Sequence, residues 1–592
     1  MDSKGYNRIR VIIKPAFLAV IFIISFLLAG HPITIDGLFD DWDSVPLSYE
    51  DLPGDGMSID FADLKITYDN DFLFIYFSIH FGEMLIQNEN AIHVYIDADN
   101  DSLTGFSTGG IGAELDWTFG DRNGLHYFMD GITTIYQNDL TLRMAPTITS
   151  HEFEIAMSRS SKAFISEKSS ELVQGKIIIA EAPPNSDQMP NEYGGVSFFI
   201  GEDYIMPPTS ISFEKNDPND IRIITQNVLS SHLVNPVFQE YFKRIYQTLD
   251  PDIIILQEMY ENTNQLHSLI SAWFPEDQWY VSGQFRDNII ISQYPILAQS
   301  FMTTSERTMV SLLGTEKALG SDLIVFSSHL ACCDNNESRQ YDSDEFVSRW
   351  RDWRENETGP FELTENTPFV YVGDLNLVGD SQQITTLTEG DIFDETTFGS
   401  DYALDWDGTS IADLFSRQTH KRMGYTWRRD NSSFSPGKLD YILYSDSVID
   451  TGKHFVFNSM TMDSATLVEY DLDSLDSYYS SDHLPRILDI AVEDQINVES
   501  EQLIPTHFKI SNPYPNPFNP ITRIQFELLT PEFIRIDLFD LKGKIVKNIS
   551  QFPYSSGQYE IIVDGNELSS GIYFVRINGQ HYSRSFKIVL MK

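Results

Sequence analysis

Apolar residues fall along this chain in three regimes. From about 31 to 206 they alternate with polar residues in runs such as Leu73 to Ile79, Ile92 to Ile96 and Phe153 to Met157. Successive side chains of a strand point to opposite faces, so this alternation predicts half-buried strands and a β-sandwich. Between about 218 and 494 the runs become continuous, as in Ile221 to Gln226, Asp252 to Leu256, Leu323 to Ser328 and Phe369 to Val372. Runs of this kind predict strands covered on both faces, with their ends gathered at one rim. Each delivers polar residues there: Asn227, then Gln257 and Glu258, then His329, then Asp374 and Asn376, while Leu439 to Tyr444 carries Asp440 near its start. From about 505 onward short runs return, at Ile524 to Leu528, Ile534 to Phe539, Tyr559 to Val563, Ile572 to Ile577 and Ser585 to Leu590. Turn residues separate them, which predicts a small sandwich of the seven-strand type.

Clusters of Pro, Asn and Asp mark the boundaries, at Met206-Pro207-Pro208 with Lys215 to Asp220 and again at Asn512 to Pro520. A polar stretch near Glu499 to Gln502 is a third. Such residues make turns and stop ladders. A length of 592 residues also exceeds one hydrophobic core. The expected division is a signal peptide over 1–30, a β-sandwich over 31–206, a catalytic domain over 218–494 and a terminal sandwich over 505–592. The leader follows from Lys4, Arg8, Arg10 and Lys14 ahead of the apolar run Ala16 to Ala29, which is short for a membrane span. Cleavage near Gly30 would leave no stable span, and His31 stands where a lipoprotein signal needs Cys. The two cysteines, Cys332 and Cys333, are adjacent and cannot staple distant parts of an exported fold; small buried side chains are the expectation for them.

A net charge of -47, from 87 Asp+Glu against 40 Lys+Arg, argues against a broad basic face for gripping nucleic acid. It does not exclude a nuclease. Asp97, Asp99 and Asp101 follow a strand-like run at two-residue spacing, so alternate carboxylates could converge on a structural Ca²⁺, with Glu114 as a fourth ligand. The loop is no EF-hand, since Ser102 and Thr108 replace the required Gly and Glu. The opening Ile33-Thr34-Ile35-Asp36-Gly37-Leu38-Phe39-Asp40-Asp41-Trp42, with Tyr95 to Asp101 and Ile111 to Glu114, resembles family 9 carbohydrate-binding modules. That resemblance implies a glycan partner; Trp42 and Trp117 could stack on a sugar ring, but burial in the core is the commoner fate of a tryptophan. The terminal segment, through Asn512 to Pro520, Leu538 to Gly543, Ser570 to Phe574 and Lys587 to Lys592, resembles type IX secretion sorting domains. It implies an Ig-like sandwich, recognition by the type IX machinery and a secreted or cell-surface location.

The ordered set Asn227, Gln257-Glu258, His329, Gly373-Asp374-Leu375-Asn376, Leu439-Asp440-Tyr441 and Ser481-Asp482-His483 resembles the endonuclease/exonuclease/phosphatase superfamily. Asn288 to Pro295 adds that family's strand before a Tyr-Pro turn. The resemblance implies a multidomain α+β protein whose central four-layer α/β/β/α sandwich lies between the two β-sandwiches. Gln226 departs from the aromatic residue the family often carries there. Chemistry suggests roles. Phosphodiester hydrolysis needs a base for water and cations or donors for the growing charge. Glu258, Asn227 and Asp482 supply hard oxygen ligands for Mg²⁺ or Mn²⁺. His483 can accept the proton of water with Asp440 orienting it, and Asp374 is a competing base. Asn376 can donate to a phosphoryl oxygen, while His329 can stabilise the transition state or assist the leaving group.

Just upstream of Asp440, Arg428, Arg429 and Lys438 are candidate contacts to flanking phosphates, and Trp427 or Tyr425 to a base; pairing of these cations with the surrounding acids on a solvated face is an equal alternative. The expected function is a secreted, divalent-metal-dependent phosphodiesterase, a nuclease hydrolysing extracellular nucleic acid by in-line attack of water. The alternatives are a sphingomyelinase-like phospholipid or sugar-phosphate esterase, and a non-catalytic glycan-binding surface protein.

Overall fold

The computed structural model describes residues 30–491, apart from 130, 166–169, 183–186, 202–206 and 262, and 508–592 apart from 511–512, 514, 517, 529–531, 540–543, 556, 567 and 579–582. The expected leader and the polar stretch at 499–502 lie outside the described residues. The chain forms two compact units, Met1–Glu493 and Asp494–Lys592. It is multidomain and mostly β-sheet with few helices. Among the described residues, no helix is long and apolar enough to cross a membrane.

The alternating N-terminal runs form a five-stranded antiparallel sheet, ordered Leu47–Glu50, Phe61–Tyr68, Phe72–Ile79, Glu152–Ser158 and Arg143–Ala145. A seven-stranded sheet centred on Gln174–Glu181 and Ile92–Asp97 faces it. Phe61, Leu73, Phe77 and Ile155 of the first share a core with Val94, Ile96, Trp117 and Ile179 of the second. Trp42 and Trp117 are 0% and 1% exposed, so neither offers a face to a sugar ring.

Two six-stranded sheets carry the continuous runs. One is ordered Tyr280–Val281, Ile289–Ser292, Ile253–Gln257, Ile221–Asn227, Arg486–Ile490 and Thr451–Val456; the other Ile296–Phe301, Thr308–Leu313, Leu323–His329, Phe369–Asp374, Asp440–Tyr444 and Ala412–Asp413. Ile223, Ile253 and Ile255 of the first meet Val325, Val370, Val372 and Ile442 of the second in one apolar layer. The alternate residues Ile224 and Ile254 pack outward on the helices Gln239–Leu249 and Leu266–Trp273. Phe326, Phe369 and Tyr371 pack outward on Asn336–Asn356. Both faces of each sheet are therefore covered, which is why the runs lack alternation.

The N-terminal sheets are fastened to this pair. Ile35 bridges Met423, with its N–H donating to the Arg422 carbonyl at 3.1 Å and its carbonyl accepting from Gly424 at 2.8 Å. Around it Ile33, Trp42, Tyr76 and Ala145 share a core with Met423, Tyr425, Val456 and Leu484. Thr149 N–H donates to the Gly379 carbonyl at 2.8 Å, just past Asn376.

The terminal unit holds a three-stranded sheet, Phe508–Ile510, Ile521–Leu528 and Gly557–Asp564, and a four-stranded one, Ile545–Tyr554, Glu532–Phe539, Gly571–Asn578 and Ser583–Leu590. Ile524, Ile536, Val575 and Ile588 fill its core.

Candidate active site

Strand register builds the site. Leu323–His329 and Phe369–Asp374 run parallel with His329 beside Asp374, and Asp440–Tyr444 runs antiparallel with Asp440 beside Asp374. The three polar residues are cross-strand neighbours at one end of one sheet. Gly373 makes the approach possible. It pairs with Ser328 at φ +139°, where a Cβ would stand 2.0 Å from the Ser328 carbonyl oxygen. After Asp374 the chain turns sharply. Asn376 takes φ 51°, and its N–H donates to Asp374 Oδ1 at 3.1 Å.

The facing sheet supplies the rest. Asn227 ends its strand fully buried, and Glu258 follows the parallel neighbour at φ 60°. Asn227 Nδ2 donates to Glu258 Oε1 at 3.1 Å and to Asp374 Oδ2 at 2.9 Å, joining the two sheets. Glu258 Oε2 accepts the Ser230 N–H at 2.7 Å. Ser481 Oγ donates to the Asn227 carbonyl at 2.8 Å and accepts from the His483 N–H at 3.1 Å, which pins the Ser481-Asp482-His483 loop over the rim.

Asp374 is the centre. Its Oδ2 lies 3.6 Å from His329 Nε2 and 3.7 Å from His483 Nε2. The far nitrogens of both rings are held by carboxylates, His483 Nδ1 at 2.9 Å from Asp440 and His329 Nδ1 at 2.5 Å from Asp287. Burial pushes the Asp374 carboxyl above its ordinary range and Asp440 adds to this, against the pull of the two imidazoles. Burial opposes the charge on His483, yet Asp440 and Asp374 outweigh it and raise its pKa to about 10. His329 is raised on the same pattern, burial being overcome by Asp287, Asp374 and Glu258. At neutral pH His483 thus carries a proton beside the buried Asp374 carboxyl, and His329 is shifted in the same direction.

Asp374, Asp440 and His483 place ligand atoms within 4.8 Å of one another. Asp482 Oδ1 and Asp440 Oδ1 are buried without a hydrogen-bond partner, as expected where a cation would complete the shell. The oxygen donors of Glu258 and Asp482 fit a hard divalent ion. Asn227, as placed, turns its NH₂ and not its oxygen toward Glu258, so it acts there as a donor between carboxylates.

Other expected site residues land differently. Asp97, Asp99 and Glu114 converge, with Asp97 Oδ2 and Glu114 Oε1 buried and unpartnered, but Asp101 is exposed and accepts the Leu103 N–H. A further acidic trio, Asp51, Asp55 and Asp187, had no signal in sequence spacing because it joins residues over 130 positions apart. Arg428 is doubly bonded to Asp430, at 2.5 and 3.0 Å, and Arg429 is exposed. Lys438 is turned inward, 2.7 Å from Asp413 and 3.6 Å from the Phe415 ring centre, so the expectation of a surface cation is corrected: its stem and charge are taken up by the core. Trp427 donates to Asp482 Oδ2 at 3.3 Å instead of standing free for a base. Cys332 and Cys333 are exposed and not buried, because the strand has already ended at His329.

Sequence reasoning missed Asp287, which had a signal in its place immediately before Asn288 to Pro295. It also missed the use of Gln226, which donates to the His483 carbonyl at 3.0 Å and accepts from Tyr246 at 2.9 Å.

Residues 224–483 match the Endonuclease/Exonuclease/phosphatase family, and the chain carries a domain of that family, a class of phosphoric ester hydrolases. Residues 512–591 match the Secretion system C-terminal sorting domain, which marks the protein for type IX export to the cell surface or the extracellular space. No curated protein matches the chain. Among solved structures, ANGEL2, a 2',3'-cyclic phosphatase, in complex with adenosine-2',3'-vanadate is similar at 15% identity and a TM-score of 0.32, over 47% of this chain and 97% of that one. The human Nocturnin catalytic domain with bound sulfate is 15% identical at a TM-score of 0.28, over 46% and 94%. AP endonuclease LMAP from Leishmania major is 14% identical at 0.27, over 48% and 92%.

Proposed function

We propose that residues 218–494 form a divalent-metal-dependent phosphodiesterase that hydrolyses extracellular nucleic acid. The observation that carries this reading is the convergence on Asp374 of two imidazoles, each backed by its own carboxylate, beside Glu258 and Asp482. Two imidazoles whose charged forms are favoured by the carboxylates behind them offer a phosphate a positive cradle in an otherwise acidic protein, and they meet the charge that grows on the phosphoryl oxygens. Asp374 is the better placed base: it alone is an acceptor between the two rings, whereas His483 already holds a proton at neutral pH. Asp440 and Asp287 fix the rings, and Asn376 and Asn227 position Asp374. Mg²⁺ or Mn²⁺ held by Glu258 and Asp482, with Asn227 if its amide is turned, would supply Lewis acidity for the phosphate and water.

The layering that goes with this function is helix, sheet, sheet, helix, preceded along the chain by a β-sandwich over 31–206 and followed by an Ig-like sandwich over 505–592. Asp97, Asp99 and Glu114 make a structural Ca²⁺ site in the first of these. The cleft beside Asp482 is lined by Arg429, Asn431 and Tyr478 together with Leu229, Met460 and Leu484, and a cation beside a ring suits the phosphate and base of a nucleic-acid strand.

The test is incubation of purified protein with plasmid DNA, RNA, sphingomyelin and bis-p-nitrophenyl phosphate, with Mg²⁺, Mn²⁺ or chelator. Metal-dependent loss of DNA or RNA is expected. Turnover of sphingomyelin alone would move the substrate class, and no turnover with any divalent metal would remove the enzyme reading.

A further inference from the structure

The cleft beside Asp482, about 570 Å³, is lined by Arg428, Arg429, Met460 and Tyr478 and, from the N-terminal sandwich, by Asn138. Asn138 and Arg428 also line a second cleft, about 530 Å³, between that sandwich and the catalytic sheets. The two clefts adjoin at Asn138 and Arg428. Their charge is unlike the rest of the surface. Arg143, Arg159, Lys421, Arg428 and Arg429 stand there against Asp71, Glu171, Asp430 and Asp482, in a chain with 87 acids to 40 bases.

Most of these cations are paired: Arg428 with Asp430, Lys421 with Asp71, Arg159 with Glu171. Arg143 is not. It begins the edge strand Arg143–Ala145, is 6% exposed, and sits with its guanidinium 5.0 Å over the Tyr425 ring. Nη1 donates to the Leu142 carbonyl at 2.7 Å, and among the described residues no carboxylate lies within salt-bridge reach. A guanidinium does not shed its proton to escape burial, so one kept this dry without a carboxylate is suited to an anion brought from outside. Thr141, Ser158, Ser160 and Thr461 add neutral hydroxyls along the same wall.

We propose that Arg143 receives a phosphate flanking the scissile one, so that the N-terminal sandwich is the second wall of a groove for a nucleic-acid strand. This rests on the phosphodiesterase reading above and adds that the sandwich serves the active site directly. The backbone joins at Ile35 and Thr149 hold that wall in fixed register with Asp374 and His483.

The experiment compares bis-p-nitrophenyl phosphate, which has no flanking phosphate, with single-stranded oligonucleotides of two, four and eight nucleotides on the full chain. In the unaltered protein, KM should fall roughly 10-fold from the shortest to the longest strand, the worth of a charge-assisted contact. Arg143→Gln should raise KM for the longest strand by about the same factor at unchanged kcat, and Arg143→Lys should recover part of it. Kinetics on bis-p-nitrophenyl phosphate should move by less than about twofold. A KM independent of strand length in the unaltered protein would overturn the proposal, and this arm stands even if Arg143→Gln misfolds. So would equal losses on both substrates at an unchanged melting temperature. Absence of bis-p-nitrophenyl phosphate turnover by the unaltered protein would instead strike the phosphodiesterase reading.

Discussion

Between Val372 and Asp374 the chain accepts only glycine, because φ +139° and a Ser328 carbonyl oxygen 2.0 Å from any Cβ leave no room for a side chain. Gly373→Ala should therefore push Phe369–Asp374 off its neighbour and carry Asp374 with it. A loss of about 1–3 kcal/mol of stability, read by urea unfolding, together with loss of most turnover is the expected result. Side chains at the rim differ in how directly they act. His483→Ala and Glu258→Ala should each lower kcat by roughly 10²–10⁴-fold, the usual range for a lost acid, base or electrostatic stabiliser. Asp287 acts on the site through His329 and also hydrogen-bonds Tyr260, so Asp287→Asn should cost nearer 10-fold and narrow the pH range of activity as the His329 ring loses its counter-ion. Steady-state rates across pH on bis-p-nitrophenyl phosphate would order the three, and an Asp287→Asn loss equal to that of His483→Ala would assign Asp287 a direct part. His483 and Glu258 were legible in sequence, since each stands beside its own apolar run; the partnership of His329 with Asp287 was not, because it is made across 42 positions.

At the scale of elements, strand pairing does more than assemble a core. The segment Met423–Tyr425 is clamped between the N-terminal sheet and the loop before Asp440, and Trp42 is the large side chain at that seam. It is fully buried, and its Nε1 donates to Glu154 Oε2 at 3.0 Å. Trp42→Ala should cost about 3–5 kcal/mol by emptying the seam, and it also withdraws one donor from a buried carboxylate. Denaturant unfolding followed by intrinsic fluorescence would measure it; a cost under about 1 kcal/mol would mean the sandwich is only loosely attached. The alternating runs made the two sheets of that sandwich readable. They did not show that Trp42, Ile33 and Ile35 serve a seam with another domain and no sugar site, because apolar residues look alike whichever partner buries them.

For the molecule as a whole, the excess of acid is partly internal. Burial raises Asp36 to about 6 and Asp41 to about 7, and it holds Glu154 well above the ordinary range, all three at the seam. A carboxyl raised in the folded state takes up its proton there at a pH where the unfolded chain has already lost it. The stability it gives is thus full below about pH 4 and lost as pH climbs through 6 to 7. In chelator, the melting temperature should accordingly be higher at pH 5.5 than at pH 8, and a higher value at pH 8 would contradict these assignments. Glu114 is raised to about 7 by burial and by Asp99 and Asp97. Calcium bound there would replace protons, so Ca²⁺ at pH 8 should raise the melting temperature by about 2–6 °C, and Asp97→Asn should abolish most of that rise.

The sequence by itself determined the strands, the three regimes, the export tail and the roll of polar residues at the rim, because apolar periodicity and short motifs are local properties of the chain. Only the tertiary structure decided which rim residues meet. It placed Asn227 between Glu258 and Asp374, gave Gln226 the task of holding His483, turned Lys438 inward onto Asp413, left Asp101 outside its acidic group and set Arg143 in a cleft lined also by Lys421, Met423 and Thr461. Such outcomes depend on which strand lies beside which and on what covers each face. Those are facts of packing between residues tens to hundreds of positions apart, and no local pattern encodes them.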